Sequence, residues 1–353
     1  MARPKKTAEP RTVRVAIVGM GIGRDNGRPI HAHPRAKITA LCDLAEDRMK
    51  SFAEELKTEV AFYTDYRKLC ADPAIDAVCV CTPNQLHVPV ALAAVEAGKH
   101  VLITKPLADS AAAATRLVAA AEKARVVNMM SLSTRFSDGA LWLGELARRR
   151  EFGELYYARA RSIRRSGIPD WSLGFIQKGG GAFRDMGVHA LDTVWWLLGR
   201  PVPRSVLGVA GAKFGPLGKG YWDFRQPPKS FWRHHAADDY AGGFIRFRNG
   251  VGLQIESFWA SHQAPDFNLE LFGTKAGAKL HPLTVYRTRG GAPVDEKVEI
   301  PKGPGAFTNI ANHFIACILD GTPCSAPLRH GLIVQEMMEA LLESARLGRE
   351  VRM

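Results

Sequence analysis

Asp185, His189 and Asp192 recur at i, i+4 and i+7 behind three glycines, in the stretch GGGAFRDMGVHALD at 179–192. On one helix that spacing gathers all three polar side chains on a single face. The residues that follow, Thr193 to Leu198, are almost wholly apolar, so the helix is expected to be buried. An acid and an imidazole one turn apart inside a protein can hold a proton in place and pass it on. That equipment suits chemistry on a substrate hydroxyl or carbonyl. The same trio equally fits a core histidine tied to Asp185, with Asp192 as a cap. A second signal, far upstream, favours chemistry.

The run Arg14 to Val18 breaks into Gly19-Met20-Gly21-Ile22-Gly23, and a second run, Lys37 to Cys42, closes on Asp43. This reads as a strand, a glycine turn, a helix-length interval and a strand ending in an acid. Glycines are needed where backbone turns sharply and lets a pyrophosphate approach its N–H groups. A carboxylate at Asp43 can accept hydrogen bonds from an adenosine ribose and would repel a 2′-phosphate. The usual third glycine position holds Arg24, with a glycine at 23 instead. Asn26-Gly27-Arg28-Pro29 is expected to delay the following helix, because Pro29 disfavours helical geometry at Arg28.

Helix and strand patterns then alternate. Helices are expected over Ala45 to Leu56, Val88 to Ala97 (stopped by Gly98) and Ser110 to Ala124. Strands are expected over Ala77 to Cys81, ending in Thr82-Pro83-Asn84, over His100 to Ile103, ending in Thr104-Lys105-Pro106, and over Val126 to Leu132. Such alternation predicts an α/β fold with a parallel doubly wound sheet, whose ligands sit beyond the carboxyl ends of the strands. Gly19, Asp43, Thr82, Asn84 and Lys105 all fall at those ends. A lysine there is ordinarily a solvated charge; Lys105, fixed by Pro106 and fed by an apolar strand, reads as functional.

With these residues assembled, the chain resembles the glucose–fructose oxidoreductase/inositol dehydrogenase family (Gfo/Idh/MocA) from about Val13 to Val351. The resemblance is carried by VGMGIG at 18–23, Asp43, CTPNQLH at 81–87, AGKHVLITKP at 97–106, GGGAFRDMGVHALD at 179–192 and the closing FIACILDGTPCSAP and SARLGREV. It implies a two-domain, NAD(P)-dependent oxidoreductase acting on a small-molecule carbohydrate or polyol. Lys105 matches the lysine of the family's E-K-P motif, and Asp185 and His189 match its D-x-G-x-H motif, together the catalytic group. Thr82, Pro83, Asn84 and His87 match positions lining the cofactor. Thr104 stands where the family commonly has Glu, which removes a carboxylate beside the nicotinamide ribose. NAD is favoured over NADP by Asp43, with Arg48 nearby as the counter-signal. The resemblance also implies a homo-oligomer, a dimer or tetramer, formed through the C-terminal sheet.

The 353 residues, 46% hydrophobic and 24% charged, fit two domains of an ordinary soluble enzyme. The expected layout is a disordered basic tail at 1–12 and a Rossmann-type nucleotide-binding domain at 13–133. A substrate-binding and oligomerisation α+β domain would fill 134–353, with the last helix packing back on the first domain. No apolar run reaches membrane-spanning length and the N-terminus lacks a secretory h-region, so a cytoplasmic protein is expected. The six cysteines suggest neither a metal site nor a disulfide framework; Cys79 and Cys81 are expected on opposite strand faces. The net charge of +13 is scattered, and no aromatic-basic interleaving points to nucleic acid.

After about residue 152 the texture turns to strands: Leu155 to Ile163, Ser205 to Phe214, Gly243 to Phe247, Val251 to Trp259 and Leu269 to Gly273. Asn249-Gly250 signals a type I′ hairpin. These predict a mostly antiparallel sheet with one open face. Arg164 and Arg165 at a strand end either reach a substrate cleft or sit on a solvated loop. The segment Phe214 to His235, rich in Trp, Tyr and Pro, offers a platform for a sugar ring, a lid or a subunit contact.

The function expected is hydride transfer between nicotinamide and a hydroxyl-bearing carbon of a sugar, sugar derivative or cyclic polyol. His189 would serve as base, oriented by Asp185, with Lys105 on the same oxygen, or Lys105 would carry the proton itself. Two other readings stand beside it. One is a glycoside-cleaving or epimerising enzyme that keeps its NAD and passes through a 3-keto sugar. The other is a nucleotide-binding regulatory protein without catalysis.

Overall fold

The computed structural model describes residues 11–353, so the tail expected at 1–12 lies almost wholly outside the described residues. Two compact units emerge. The first comprises the described residues up to Thr104, Ala119–Ser131 and Phe307–Pro327. Its strands are β1 (Val13–Val18), β2 (Ala36–Cys42), β3 (Ala61–Tyr63), β4 (Ala77–Val80), β5 (His100–Thr104) and β6 (Asn128–Ser131). They form one parallel sheet in the order β3-β2-β1-β4-β5-β6. Strands covered on both faces need continuous apolar runs, and VRVAIV in β1 and AVCV in β4 supply them. β3 was not legible in the sequence; it has three residues, none of them buried.

Two sequence expectations fail in this unit. The helix after the glycine turn is not delayed: it runs Gly23–Ala32 with Pro29 inside it. Packing outweighs the backbone bond lost at the proline. Ile30 is fully buried, the Asn26 side chain donates to Ile22 O at 3.1 Å, and Arg28 pairs with Asp25 at 2.8 Å. Cys79 and Cys81 do not face opposite ways either. Side chains two apart on a strand share a face, and their Sγ atoms lie 3.5 Å apart.

The second unit comprises Lys105–Val118, Leu132–Ala306 and Leu328–Met353. Its strands are β7 (Leu155–Ile163), β8 (Pro203–Gly211), β9 (Tyr240–Phe247), β10 (Gly252–Phe258), β11 (Asp266–Gly273), β12 (Ala276–Lys279), β13 (Thr284–Arg289), β14 (Ala292–Lys297) and β15 (Val351–Arg352). They form one sheet, β14-β13-β12-β11-β7-β10-β9-β8-β15, in which β7 and β10 pair parallel and the other pairs are antiparallel. Along β7, Ala158, Ala160 and Ser162 are buried. The alternate residues carry a different chemistry: Tyr157 packs edge-on against Phe272, and Arg159 pairs with Glu270 at 2.6 Å. Leu207 and Val209 of β8 are exposed.

The β9–β10 turn is not type I′, which needs positive φ at both central residues. Gly250 has φ +90°, whereas Asn249 is not among the positive-φ residues. Gly250 N donates to Phe247 O at 3.1 Å and Phe247 N to Val251 O at 2.9 Å. That is a type I turn followed by a left-handed glycine, the three-residue hairpin loop. The last helix, Leu328–Leu347, lies against β8 of this unit, where the Ser344 hydroxyl accepts from Gly208 N at 2.9 Å. Among the described residues, no helix is long and apolar enough to cross a membrane.

At the centre of this unit's core lies the helix Val188–Leu197, with Leu191, Val194 and Trp195 fully or almost fully buried. Asp192 on that helix does not join Asp185 and His189. Both its oxygens accept from the Arg135 guanidinium, and each side chain is only 1% exposed. Burial pushes the Asp192 carboxyl up, against the opposing pull of Arg135. Breaking one side of such a pair strands a buried charge, at a cost of about 3–5 kcal/mol. Asp192→Asn is therefore expected to lower the stability measured by urea unfolding by that amount. A loss below about 1 kcal/mol would show that the pair does not brace the helix.

Candidate active site

The stretch GGGAFRDMGVHALD forms a π-helical turn, Phe183–Gly187, running into the helix Val188–Leu197. Such turns are rare and recur at functional sites. Asp238 holds the turn by accepting from Phe183 N at 2.9 Å. Lys105, the residue immediately after β5, belongs to the same unit as this turn. Its Nζ donates to Asp185 Oδ1 at 2.6 Å and to the Asp185 carbonyl at 2.8 Å. The other carboxylate oxygen, Oδ2, accepts from Trp259 Nε1 at 3.0 Å. Burial would push the Asp185 carboxyl up, but the Lys105 charge and the hydrogen bonds from Lys105 and Trp259 hold it below the ordinary carboxylate value.

These bonds change the part given to Asp185. It was expected to orient His189, yet its carboxylate is bound to Lys105 and Trp259. The buried Nδ1 of His189 has no hydrogen-bond partner. Burial first, and the Lys105 charge second, push His189 down to about 3, with the Asp185 charge opposing. The imidazole is thus neutral at neutral pH and has an unpartnered nitrogen. Trp259, fully buried just past β10, is a site residue that sequence reading missed. An aromatic at a strand end looks like any core residue.

Of the two arginines, Arg164 belongs to this group and Arg165 does not. The Arg164 charge acts on both His189 and Asp185, and burial lowers its own pKa. Its guanidinium stacks over Trp222 at 4.9 Å. Arg165 is exposed.

In the first unit, the residues at the glycine turn fit a dinucleotide. Gly19 has φ +94°, and a Cβ there would stand 2.6 Å from Cys81 O. A Cβ on Gly21 would meet nothing within 4 Å, whereas one on Gly23 would strike Ile17 at 2.9 Å. A tight turn, an open approach and close helix–strand contact are the three tasks of the fingerprint glycines. Gly23, one position early, performs the third. Met20 is buried and Ile22 is exposed at the helix entrance. Asp43 closes the loop: its Oδ2 accepts from Met20 N at 2.7 Å and its Oδ1 from Ala45 N at 3.0 Å. Thr82 Oγ1 is buried without a partner, an orphaned donor at a strand end.

The other residues expected to line the cofactor lie at or next to the strand ends and on the helices that follow. Thr104 turns into the sheet, donating to Val80 O at 3.2 Å. His87 is 1% exposed, with Nε2 at 2.7 Å from Thr82 O, so it braces the strand end from beneath. Pro83 is exposed and Asn84 half-buried where the helix Asn84–Glu96 begins. That helix starts four residues before the expected Val88, and it also carries Pro89 inside. Arg48 is exposed.

The chain belongs to the Gfo/Idh/MocA oxidoreductase family, whose NAD-binding Rossmann-fold model matches residues 13–132 and whose C-terminal domain model matches 140–279. It is 29% identical over 352 residues to a D-glucoside 3-dehydrogenase of Escherichia coli, covering 97% of each chain. It is 28% identical to a myo-inositol 2-dehydrogenase of Thermotoga maritima, covering 74% of this chain and 73% of the other. Among solved structures, it is similar to GenD2 from gentamicin A biosynthesis in complex with NAD. That likeness has a TM-score of 0.78 and 25% identity, over 100% of this chain and 99% of the other.

The depressed His189 has a consequence for stability. The unfolded chain takes up a proton near the ordinary histidine value of about 6.5, while the folded site does so only near 3. Stability from this group is therefore complete above about pH 6.5 and is lost as the pH falls toward 3. Urea-unfolding free energies across that window should fall less steeply for His189→Phe than for the parent chain. Equal slopes would mean that His189 titrates normally in the fold.

Proposed function

We propose that this protein is an NAD-dependent dehydrogenase that oxidises a hydroxyl-bearing carbon of a sugar, sugar derivative or cyclic polyol, or runs the reverse reduction. The observation that carries this reading is the Lys105–Asp185 pair beside a neutral His189, in a chain whose glycine turn fits a dinucleotide. The relatives named for a glucoside and for inositol support the substrate class. The Gly19–Gly23 turn would hold the pyrophosphate, and Asp43 the adenosine ribose, where its charge disfavours a 2′-phosphate. NAD supplies the hydride acceptor.

The remaining work falls to this chain's own side chains. Asp185 accepts two of the three Lys105 N–H bonds and so aims the ammonium. The third is left for a substrate oxygen, whose developing negative charge the ammonium stabilises. His189, neutral and with an unpartnered Nδ1, offers the substrate hydroxyl a hydrogen-bonding partner beside the ammonium. Arg164 and Trp222 supply a charged edge and an aromatic surface for a hydroxylated ring.

Positioned acid–base groups are worth about 10²–10⁴-fold in rate. Lys105→Met is expected to lower turnover by that factor, with NAD affinity by calorimetry within about threefold of the parent. The assay is a panel of sugars, inositols and glycosides followed by the absorbance of reduced nicotinamide. Unchanged turnover in the variant would overturn the assignment of Lys105. Substrate consumption without accumulated reduced cofactor would overturn net oxidation.

A further inference from the structure

Away from the residues used above, the first unit gathers two thiols and an imidazole. His313 and Cys317 sit one turn apart on the helix Ala306–Leu319, and Cys324 lies on the segment that follows. One donor atom from each lies within 4.8 Å of the others. The sequence gives no hint of this, because a spacing of His-x3-Cys-x6-Cys crosses a helix end.

We propose that His313, Cys317 and Cys324 form a binding site for a thiophilic cation of the Zn²⁺ type. The donor set is soft, as such cations prefer, and a three-ligand site leaves a fourth tetrahedral position to solvent. Cys317 Sγ and His313 Nε2 are 3.6 Å apart. Zn–S and Zn–N bonds of about 2.3 and 2.0–2.1 Å at a tetrahedral angle set an S···N edge of about 3.6 Å, so this pair is already spaced for a shared ion. His313 Nε2 accepts from Ser325 N at 2.9 Å, with Ser325 Oγ at 3.0 Å. The ring nitrogen facing the thiols therefore carries a lone pair. Metal loading exchanges the Ser325 contact for the ion and releases the thiol protons.

The segment bearing Cys324 is held in place by backbone. Met130 N in β6 donates to Ala326 O at 2.8 Å. Cys324 Sγ lies 3.6 Å from the carbonyl of Asn128, the first residue of β6. That end of a parallel strand is opposite the carboxyl ends where the cofactor binds. A cation here would fasten Phe307–Pro327 to the sheet without entering the chemistry.

The test uses the full-length reduced protein titrated with Co²⁺ and then with Zn²⁺. One cobalt per chain should produce a thiolate-to-cobalt charge-transfer band that one equivalent of zinc removes. Cys324→Ser and His313→Gln should each weaken cobalt binding at least about 100-fold, beyond what loss of an outer-shell partner costs. Cys70→Ser should leave binding intact, and turnover of Cys324→Ser should match the parent. Circular dichroism melting checks that each variant folds; should Cys324→Ser fail to fold, His313→Gln and the parent titration decide. No charge-transfer band in the parent, or one that persists in the folded variants, would overturn the proposal. So would mass loss of two hydrogens as a Cys317–Cys324 disulfide in place of bound metal.

Discussion

A carboxylate taken out of water must have both oxygens satisfied by charge or hydrogen bonds, and Asp185 meets that demand with Lys105 on one and Trp259 on the other. Much of the second unit serves that arrangement. The π-helical turn presents Asp185, the residue after β5 supplies the ammonium, and Trp259 arrives from the end of β10. The depressed basicity of His189 comes first from burial and then from the Lys105 charge, with the Asp185 charge opposing both.

The buried Arg135–Asp192 pair shows what separates support from reactivity. Both pairs join a base to an aspartate of the same polypeptide stretch. Arg135 and Asp192 are each 1% exposed, and both Asp192 oxygens accept from the Arg135 guanidinium. Lys105 and Asp185 side chains keep 24% and 16% exposure, and the ammonium retains an uncommitted N–H bond. Access distinguishes a brace from a group that can meet substrate.

Much of the nucleotide-binding unit was legible because parallel strands leave continuous apolar runs and their carboxyl ends carry glycines and acids. The second sheet's inner strands were visible through alternation. What escaped has physical reasons. Pro29 and Pro89 both sit inside helices, because burial outweighed local preference. An i, i+4, i+7 pattern assumes an α-helix throughout, whereas Phe183–Gly187 is a π-helical turn, and Asp192 two turns beyond Asp185 is taken by Arg135. The glycine displaced to 23 looked like a defect, yet it makes the close contact with Ile17. Trp259, Arg135 and the His313 cluster are joined to their partners only by tertiary structure.

The dependence of Asp185 on Lys105 is open to direct measurement. Carbon NMR on isotope-labelled aspartate would follow Asp185 through an acid titration in the parent chain and in Lys105→Met. The account predicts a midpoint below the ordinary aspartate value in the parent, and one above it in the variant, where burial is no longer offset by the ammonium. The same midpoint in both proteins would contradict it.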